Sequence, residues 1–513
     1  MINQLNLKKF EGLSFRVLAK ILSNIFTLFY NLIFSFLIPR ALGPIGFGLF
    51  ELINTNVNNL INIVNGGTSG AFYTKLSQKQ NDIGLIKFYS KVILVIISVL
   101  LIVIFFSIKF FDLDIMLENK NSSRYIIFGF VFCCGLYISN ILKDAVDAYA
   151  ITIKNEFLII VLKGLGALII VYLFFSNNLT IDTLYYKEMI VIILITIASF
   201  LLLKKNWKKK FSNEYVTSNP SQLISEFWKY CHPLIVVAIF SSISLIAERW
   251  ILQIFGGSTE QGYFSLALRI SSIGMLFAGA LSTLLIREIA ILIKKNDIER
   301  IAILMKKSLM FMYAIVASFS LFTCVFSEEI IEIMIGNKFT GAIISLQVLS
   351  LYPLHQIYGQ YTSSFFMGTS ATGTFRNIII FSSLFSFLAT WLLIAPSNYF
   401  GLNLGGFGLA IKTLFVNIIF TNISLLIITR KIKLSFMPFI YHQVGVVILF
   451  LIIALFCKYS IQYIVSNQLY NLFISGIIYL LIIVYLLKKI PFLTGLKKEE
   501  INIYVNKFTP FKS

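Results

Sequence analysis

The sequence predicts an all-α polytopic membrane protein with about 14 transmembrane helices. Three observations carry that expectation. First, 58% of the 513 residues are hydrophobic and only 13% are charged, with a mean hydropathy of +0.86, which is more apolar surface than a soluble core can bury. Second, apolar runs of roughly 17 to 28 residues recur along the whole chain, each long enough to cross a hydrocarbon layer of about 30 Å as a helix. Third, Lys and Arg concentrate at the termini and in every second connection, the positive-inside pattern.

The expected spans follow in order. The first, 14–39, is too long for a signal peptide and lacks a small-residue cleavage site, so it serves as its own targeting signal. The second, 43–74, opens at a glycine turn and carries Asn54, Asn58, Asn62, Asn65 and Ser69 at helical spacing, which makes one polar stripe. It is long and polar enough to be tilted or broken. Spans 84–106, 123–150, 155–176 and 183–203 complete a first set of six. Within them, Cys133 and Cys134 are buried small hydrophobes without metal-ligand spacing. Asp144, Asp147 and Lys163 are charges at depth.

The basic stretch KKNWKKK (204–210) begins a linker covering 204–222. A second set follows: 223–255, 260–286, 301–326, 341–367, 373–396 and 403–429. Pro233 in the first of these and Pro353 in the fourth mark kinks. Gln356, Gln360 and Ser364 form a polar face in the fourth, with Tyr358 and Tyr361 nearby to stack on sugar rings. Two further spans, 440–457 and 465–487, close the chain. The domain expectation is therefore 1–203, the linker 204–222, 223–433, and a C-terminal addition 434–513.

The formal charge of +20 is topological. Connections such as REIAILIKKNDIER (287–300) and RKIK (430–433) are basic, whereas GGSTEQG (256–262) and PSNYFGLN (396–403) have neither Lys nor Arg. Both termini are then cytoplasmic, the basic loops face anionic lipid headgroups, and no nucleic-acid partner is expected. No GxxxxGK[ST], HExxH or GxSxG stretch occurs, so neither a nucleotide, a cofactor nor an enzymatic nucleophile is expected. Asp112 and Asp114 resemble the acidic pairs of membrane glycosyltransferases, but such pairs are abundant in solvated loops.

An internal echo links LIPRALGPIGFGLFELIN (37–54) with ERWILQIFGGSTEQGYFSLALRI (248–270). Each has a basic residue, a glycine-bearing turn and a glycine beside aromatics. Six helices separate them, so two halves would share one orientation about an axis along the membrane normal.

These stretches, with EEIIEIMIGNKFTGAIISLQVLSLYPLHQIYGQ (328–360), resemble the polysaccharide-transporter branch of the multidrug/oligosaccharidyl-lipid/polysaccharide exporters. Within it the similarity is to Wzx-type O-antigen and exopolysaccharide flippases, over about residues 10 to 490, through diffuse motifs. Where the family often has Asp-Arg, this chain has Glu248 and Arg249. The resemblance implies two six-helix bundles in a V-shaped arrangement around a central cavity. It further implies that an undecaprenyl-pyrophosphate-linked glycan crosses the bacterial inner membrane, alongside a polysaccharide polymerase and a chain-length regulator as partners. A cation-coupled multidrug antiporter of the same superfamily is the nearest alternative, although that group carries an acid in its first helix and 14–39 contains none. A membrane polysaccharide polymerase has a long outer loop that this chain lacks.

Charges inside a bilayer cost about 2.5–3.5 kcal/mol each by insertion scales, so they persist facing water, a partner or a charged ligand. The candidate substrate-binding residues are Arg40, Lys163, Arg249, Arg269 and Lys412, whose sign suits a pyrophosphate, with Asn58, Asn62, Gln356 and Gln360 for sugar hydroxyls. Glu51, Asp144, Asp147 and Glu248 are the candidates for carrying a coupling proton, because partial burial raises a carboxyl pKa. Glu248 ranks first.

Overall fold

The computed structural model describes residues 13–110, 112–117, 119–210, 216–275, 285–286 and 288–496. Of the expected features, the start of the first domain at 1–12, part of the linker at 211–215, the eighth span at 276–284, residue 287 of the basic connection that follows it and the tail from 497 onward lie outside the described residues. Among those described, the chain is helical throughout and has no β-strand, only an isolated bridge between Asp82 and Val216. Among the described residues, eleven helices are long and apolar enough to cross a membrane.

The chain forms two compact units, Met1–Gly262 and Tyr263–Ser513. In the first, α1 (Leu13–Asn65) joins the first two expected spans into one helix bent at Gly43, whose φ of 69° and ψ of 176° belong to a region that only glycine occupies cheaply. Gly66 and Gly67, both at positive φ, then break the second span, and α2 (Thr68–Gln78) continues it. The polar second span is thus broken, and at its glycines. Next come α3 (Ile83–Phe110), the short α4 (Leu113–Met116), α5 (Ser122–Ala148), α6 (Thr152–Phe175) and α7 (Ile181–Lys210).

The seventh and eighth expected spans are likewise one element, α8 (Pro220–Ser271), with a kink at Gly257 (φ 72°, ψ −178°). The break between the two compact units falls inside α8.

The second unit contains α9 (Ile298–Val325), α10 (Ser327–Met334), α11 (Ile343–Leu349), α12 (Tyr352–Gly368), α13 (Thr372–Ile394), α14 (Gly405–Lys431), α15 (Met437–Ile464), α16 (Gln468–Lys489) and α17 (Pro491–Thr494). The expected helix 341–367 is two pieces, because Pro353 lacks the N–H that would continue the ladder and its ring opposes the carbonyl of residue 349. The last two long helices are not a loose addition. Phe450 of α15 and Tyr479 and Ile483 of α16 are buried in the same apolar core as Tyr313, Ile357 and Phe366. Lys458 of α15 reinforces that packing, bonding Glu329 at 2.6 Å and the Val325 carbonyl at the end of α9 at 3.1 Å.

Candidate functional site

Three sets of polar residues sit inside these helices. The first lies among α1, α6 and α7. Gly164 lets α6 approach α1, since a Cβ there would stand 3.3 Å from the Phe26 ring. One residue away, Lys163 donates from Nζ to the Thr27 hydroxyl at 3.2 Å. Gly166 makes room for Lys187, whose Cε would be 3.2 Å from an added Cβ. Lys187 is 4% exposed and bonds both the Glu188 carboxylate at 2.8 Å and the Tyr30 hydroxyl at 2.7 Å. Tyr30 in turn donates to Glu188 at 3.0 Å. Lys163 thus has a neutral hydroxyl partner while the neighbouring lysine has a carboxylate. A second acid, Glu156, is held by Lys143 at 3.1 Å.

Sequence reasoning missed Lys187, Glu188, Tyr30 and Glu156. The signal was there for the first two, in the adjacent charges of YYKEMIVIIL (185–194). They escaped notice because they lie close to an expected helix end, where snorkelling explains charge cheaply.

The second set surrounds Glu248 and Arg249 on the long limb of α8. Adjacent helical residues diverge by about 100°, and here they find different partners. Glu248 accepts from Ser244 Oγ at 3.1 Å. Arg249 donates to Gln261 Oε1 at 3.1 Å, and the Gln261 amide returns a bond to the Arg249 carbonyl. The acids acting on Arg249 electrostatically are Glu51 and Glu248. Three expected site residues, Glu51, Glu248 and Arg249, therefore lie within electrostatic reach of one another, Glu248 and Arg249 buried and Glu51 partly buried. Arg249 is held by protein partners as well as being available in sign for an anion.

The third set is in the second unit. Lys412, 3% exposed, lies on α14 and donates to Ser386 Oγ of α13 at 3.1 Å. Like Lys163, it addresses a hydroxyl.

Other expected residues are placed as follows. Arg40 is exposed, just before the Gly43 bend. Asn58 and Asn62 are exposed members of their stripe, whereas Asn54 accepts from Tyr185 and Asn65 from Thr68 and Tyr137. Of the five members, Asn54, Asn65 and Ser69 are hydrogen-bonded within the protein and Asn58 and Asn62 are open. Asp147 accepts from Thr152 at 2.8 Å, and Asp144 and Arg269 are partly buried with partners of their own. Gln356 and Gln360 are partly buried. Tyr358 and Tyr361 do not offer faces to a sugar, contrary to the expectation. They are 1% and 0% exposed, and Tyr358 packs edge-on against Tyr313 at 5.5 Å, because their positions on α12 fall on its core-facing side. Asp114 is committed to the Ser122 amide at 3.2 Å. Among the described residues no three His, Cys, Asp or Glu side chains are grouped to hold a metal ion.

No family model and no curated protein matches the sequence. Solved structures do match its fold. An inward closed conformation of the lipid II flippase MurJ superposes with a TM-score of 0.66 at 14% identity, covering 92% of this chain and 98% of that one. An inward-facing multidrug resistance MATE family transporter of the MOP superfamily gives 0.61 at 15% identity over 80% and 94%. A MOP superfamily transporter from Pyrococcus furiosus, described as having a binding pocket of reverse polarity, gives 0.58 at 13% over 81% and 94%. The chain has the fold of the MOP-superfamily transporters, and at these identities the likeness is one of fold.

Proposed function

We propose that the protein moves an undecaprenyl-pyrophosphate-linked oligosaccharide, a unit of O-antigen or another surface polysaccharide, across the cytoplasmic membrane by alternating access. The observation that carries this reading is the chemistry of Lys163 and Lys412. Both are cations within membrane-spanning helices, both address hydroxyls, and a pyrophosphate entering low dielectric needs compensating positive charge. Arg249 adds a guanidinium fork suited to phosphate, and the exposed Asn58 and Asn62 suit sugar hydroxyls. The fold shared with a lipid II flippase supports a lipid-linked cargo.

The shared fold with multidrug transporters favours a second reading, cation-coupled export of drugs. That reading needs acids facing the cargo. Glu188 and Glu156 are instead each paired with a lysine, Lys187 and Lys143. Expression in a strain lacking its own polysaccharide flippase separates the two. Restored surface glycan without increased drug tolerance supports the flippase; tolerance without glycan supports the exporter.

A further inference from the structure

We infer that the connection between α13 and α14, residues 395–404, is a membrane-interface anchor. Tyr399, Phe400 and Leu402 sit at the boundary between headgroups and acyl chains of the leaflet on their side, in contact with phospholipid, whatever cargo the protein carries.

The surface leading to the connection is suited to lipid. No charged residue occurs between Arg376 and Lys412. On α13, Phe381, Leu384, Leu388 and Leu392 are each more than half exposed, and at steps of three, four and four they share one face of the helix. Such a stripe on a membrane-spanning helix faces hydrocarbon, because water would gain nothing from it. The exposed Tyr399, Phe400 and Leu402 carry the same surface past the helix end: the Trp391 indole donates to the Tyr399 carbonyl at 3.1 Å, and the Leu402 amide to the Leu392 carbonyl at 2.8 Å.

The backbone of the connection is closed on itself. Pro396 cannot continue α13, and the carbonyls left open are taken up as the chain folds back. The amides of Leu404 and Asn403 donate to the carbonyls of Leu393 and Ala395 at 2.9 and 3.0 Å, and those of Tyr399 and Gly401 to that of Pro396 at 2.9 and 3.1 Å. Gly401 permits the close return, since a Cβ there would stand 1.9 Å from the Ala395 carbonyl oxygen. A loop in bulk water has no need of this closure, whereas irregular backbone beside hydrocarbon must be satisfied internally.

Phe400 is what the turn presents. It is 91% exposed at φ 61° and ψ 27°, a left-handed conformation that glycine and asparagine adopt more cheaply than an aromatic residue. In water neither the exposed ring nor the strained backbone would be offset; at the interface the ring leaves water. Ser397 and Asn398, also exposed, give the same turn a polar side, and Trp391 and Tyr399 supply the amphipathic rings that favour the boundary. The anchor fixes the depth of the α13 and α14 hairpin and with it Lys412, which lies about two turns into α14 and so about 10 Å deeper.

Two measurements test the anchor. With the five native cysteines replaced, a nitroxide is attached at Asn398→Cys or Phe400→Cys in liposomes of phosphatidylethanolamine and phosphatidylglycerol. Its collisions with oxygen, which concentrates in lipid, are compared with those of a water-soluble nickel chelate. The ratio of oxygen to nickel collisions is expected to be severalfold higher at 400 than at 398. Equal ratios with both labels open to the chelate overturn the anchor by placing the whole turn in water; a label at 400 shielded from both reagents overturns it by placing protein, a second copy or a partner, over the turn. The second measurement keeps Phe400 in the unaltered chain. A phospholipid bearing a diazirine at the first carbons of its acyl chain is photolysed in the same liposomes, and the labelled peptides are read by mass spectrometry. Label on 396–404 as well as on α13 is the expected result, and label on α13 alone overturns the anchor. A chain that moves no lipid-linked glycan while both readouts hold refutes the transport reading and leaves the anchor standing.

Discussion

Gly48 and Gly262 interlock. A Cβ on Gly48 would lie 2.0 Å from the Ser258 carbonyl oxygen, and one on Gly262 would lie 2.2 Å from the Pro44 carbonyl oxygen. The contact is reciprocal: each glycine meets the residue four positions before the other, and the bends at Gly43 and Gly257 each precede their glycine by five positions. The echo in the sequence thus has a structural form, two matching bent helices that cross backbone to backbone.

The two kinds of glycine in this motif fail differently. Gly48→Ala or Gly262→Ala forces backbone apart and is expected to destabilise the protein by about 1–3 kcal/mol or more through overpacking. Gly43→Ala meets no atom within 4 Å but must adopt a strained φ, for a cost of about 1–3 kcal/mol. Thermal unfolding in detergent measures both. Because the Gly48 site is steric and the Gly43 site conformational, Gly43→Asn is expected to cost about as much as Gly43→Ala, since a ψ of 176° lies outside the left-handed helical region that Asn tolerates, while Gly48→Asn is worse than Gly48→Ala.

The buried Lys187, Glu188 and Tyr30 group gives a charge-pairing prediction. Lys187→Met leaves a carboxylate without its cation and is expected to cost about 3–5 kcal/mol, whereas Lys187→Met combined with Glu188→Gln recovers most of that loss. Equal unfolding temperatures for the single and double variants would show that the pair is not coupled.

Asp82 supplies the pH dependence. Burial alone pushes its carboxyl up, but the Ser218 hydroxyl, the Leu85 and Ser218 amides and the Lys79 charge outweigh it and hold the pKa below the ordinary 3.8. A depressed carboxylate stabilises fully above its unfolded pKa, and that stability is lost as pH falls through the folded value. Asp82→Asn is therefore expected to lower stability at neutral pH by about 1 kcal/mol. The gap to the parent should persist down to about pH 4 and close only below it. Unfolding scans in acidic buffers give the comparison.

Topology follows from the loop charges. Single cysteines at Asn206 and Asn296 are expected to react only from the cytoplasm, and those at Asn178 and Asn398 only from outside. Ser258, in an outer connection by the same reasoning, is 0% exposed and is expected to stay unlabelled from either side. Outside labelling at Asn206 would reverse the orientation.

Much of the fold was legible because membrane helices announce themselves by length and apolarity, and glycines mark their bends. The bend at Gly43, the break at Gly66 and Gly67, and the interruption before Pro353 all follow from backbone chemistry of single residues. What the sequence concealed was partnership. Nothing in the spacing of Lys163 and Thr27, or of Lys187 and Tyr30, says that their helices touch. The stripe in the second span was visible, but not its division into bonded and exposed asparagines. Tyr358 and Tyr361 looked like a sugar platform because spacing alone does not reveal which face of α12 meets the core.

The central claim, a cationic route for a pyrophosphate, is tested most directly in proteoliposomes carrying the purified protein and a fluorescent undecaprenyl-pyrophosphate oligosaccharide, with outer-leaflet label read by a membrane-impermeant quencher. The parent is expected to translocate the lipid, and Lys163→Gln and Lys412→Gln are each expected to slow it by about tenfold or more, equivalent to about 1.4 kcal/mol, at unchanged folding and reconstitution. Translocation by both variants at the parental rate would contradict the account.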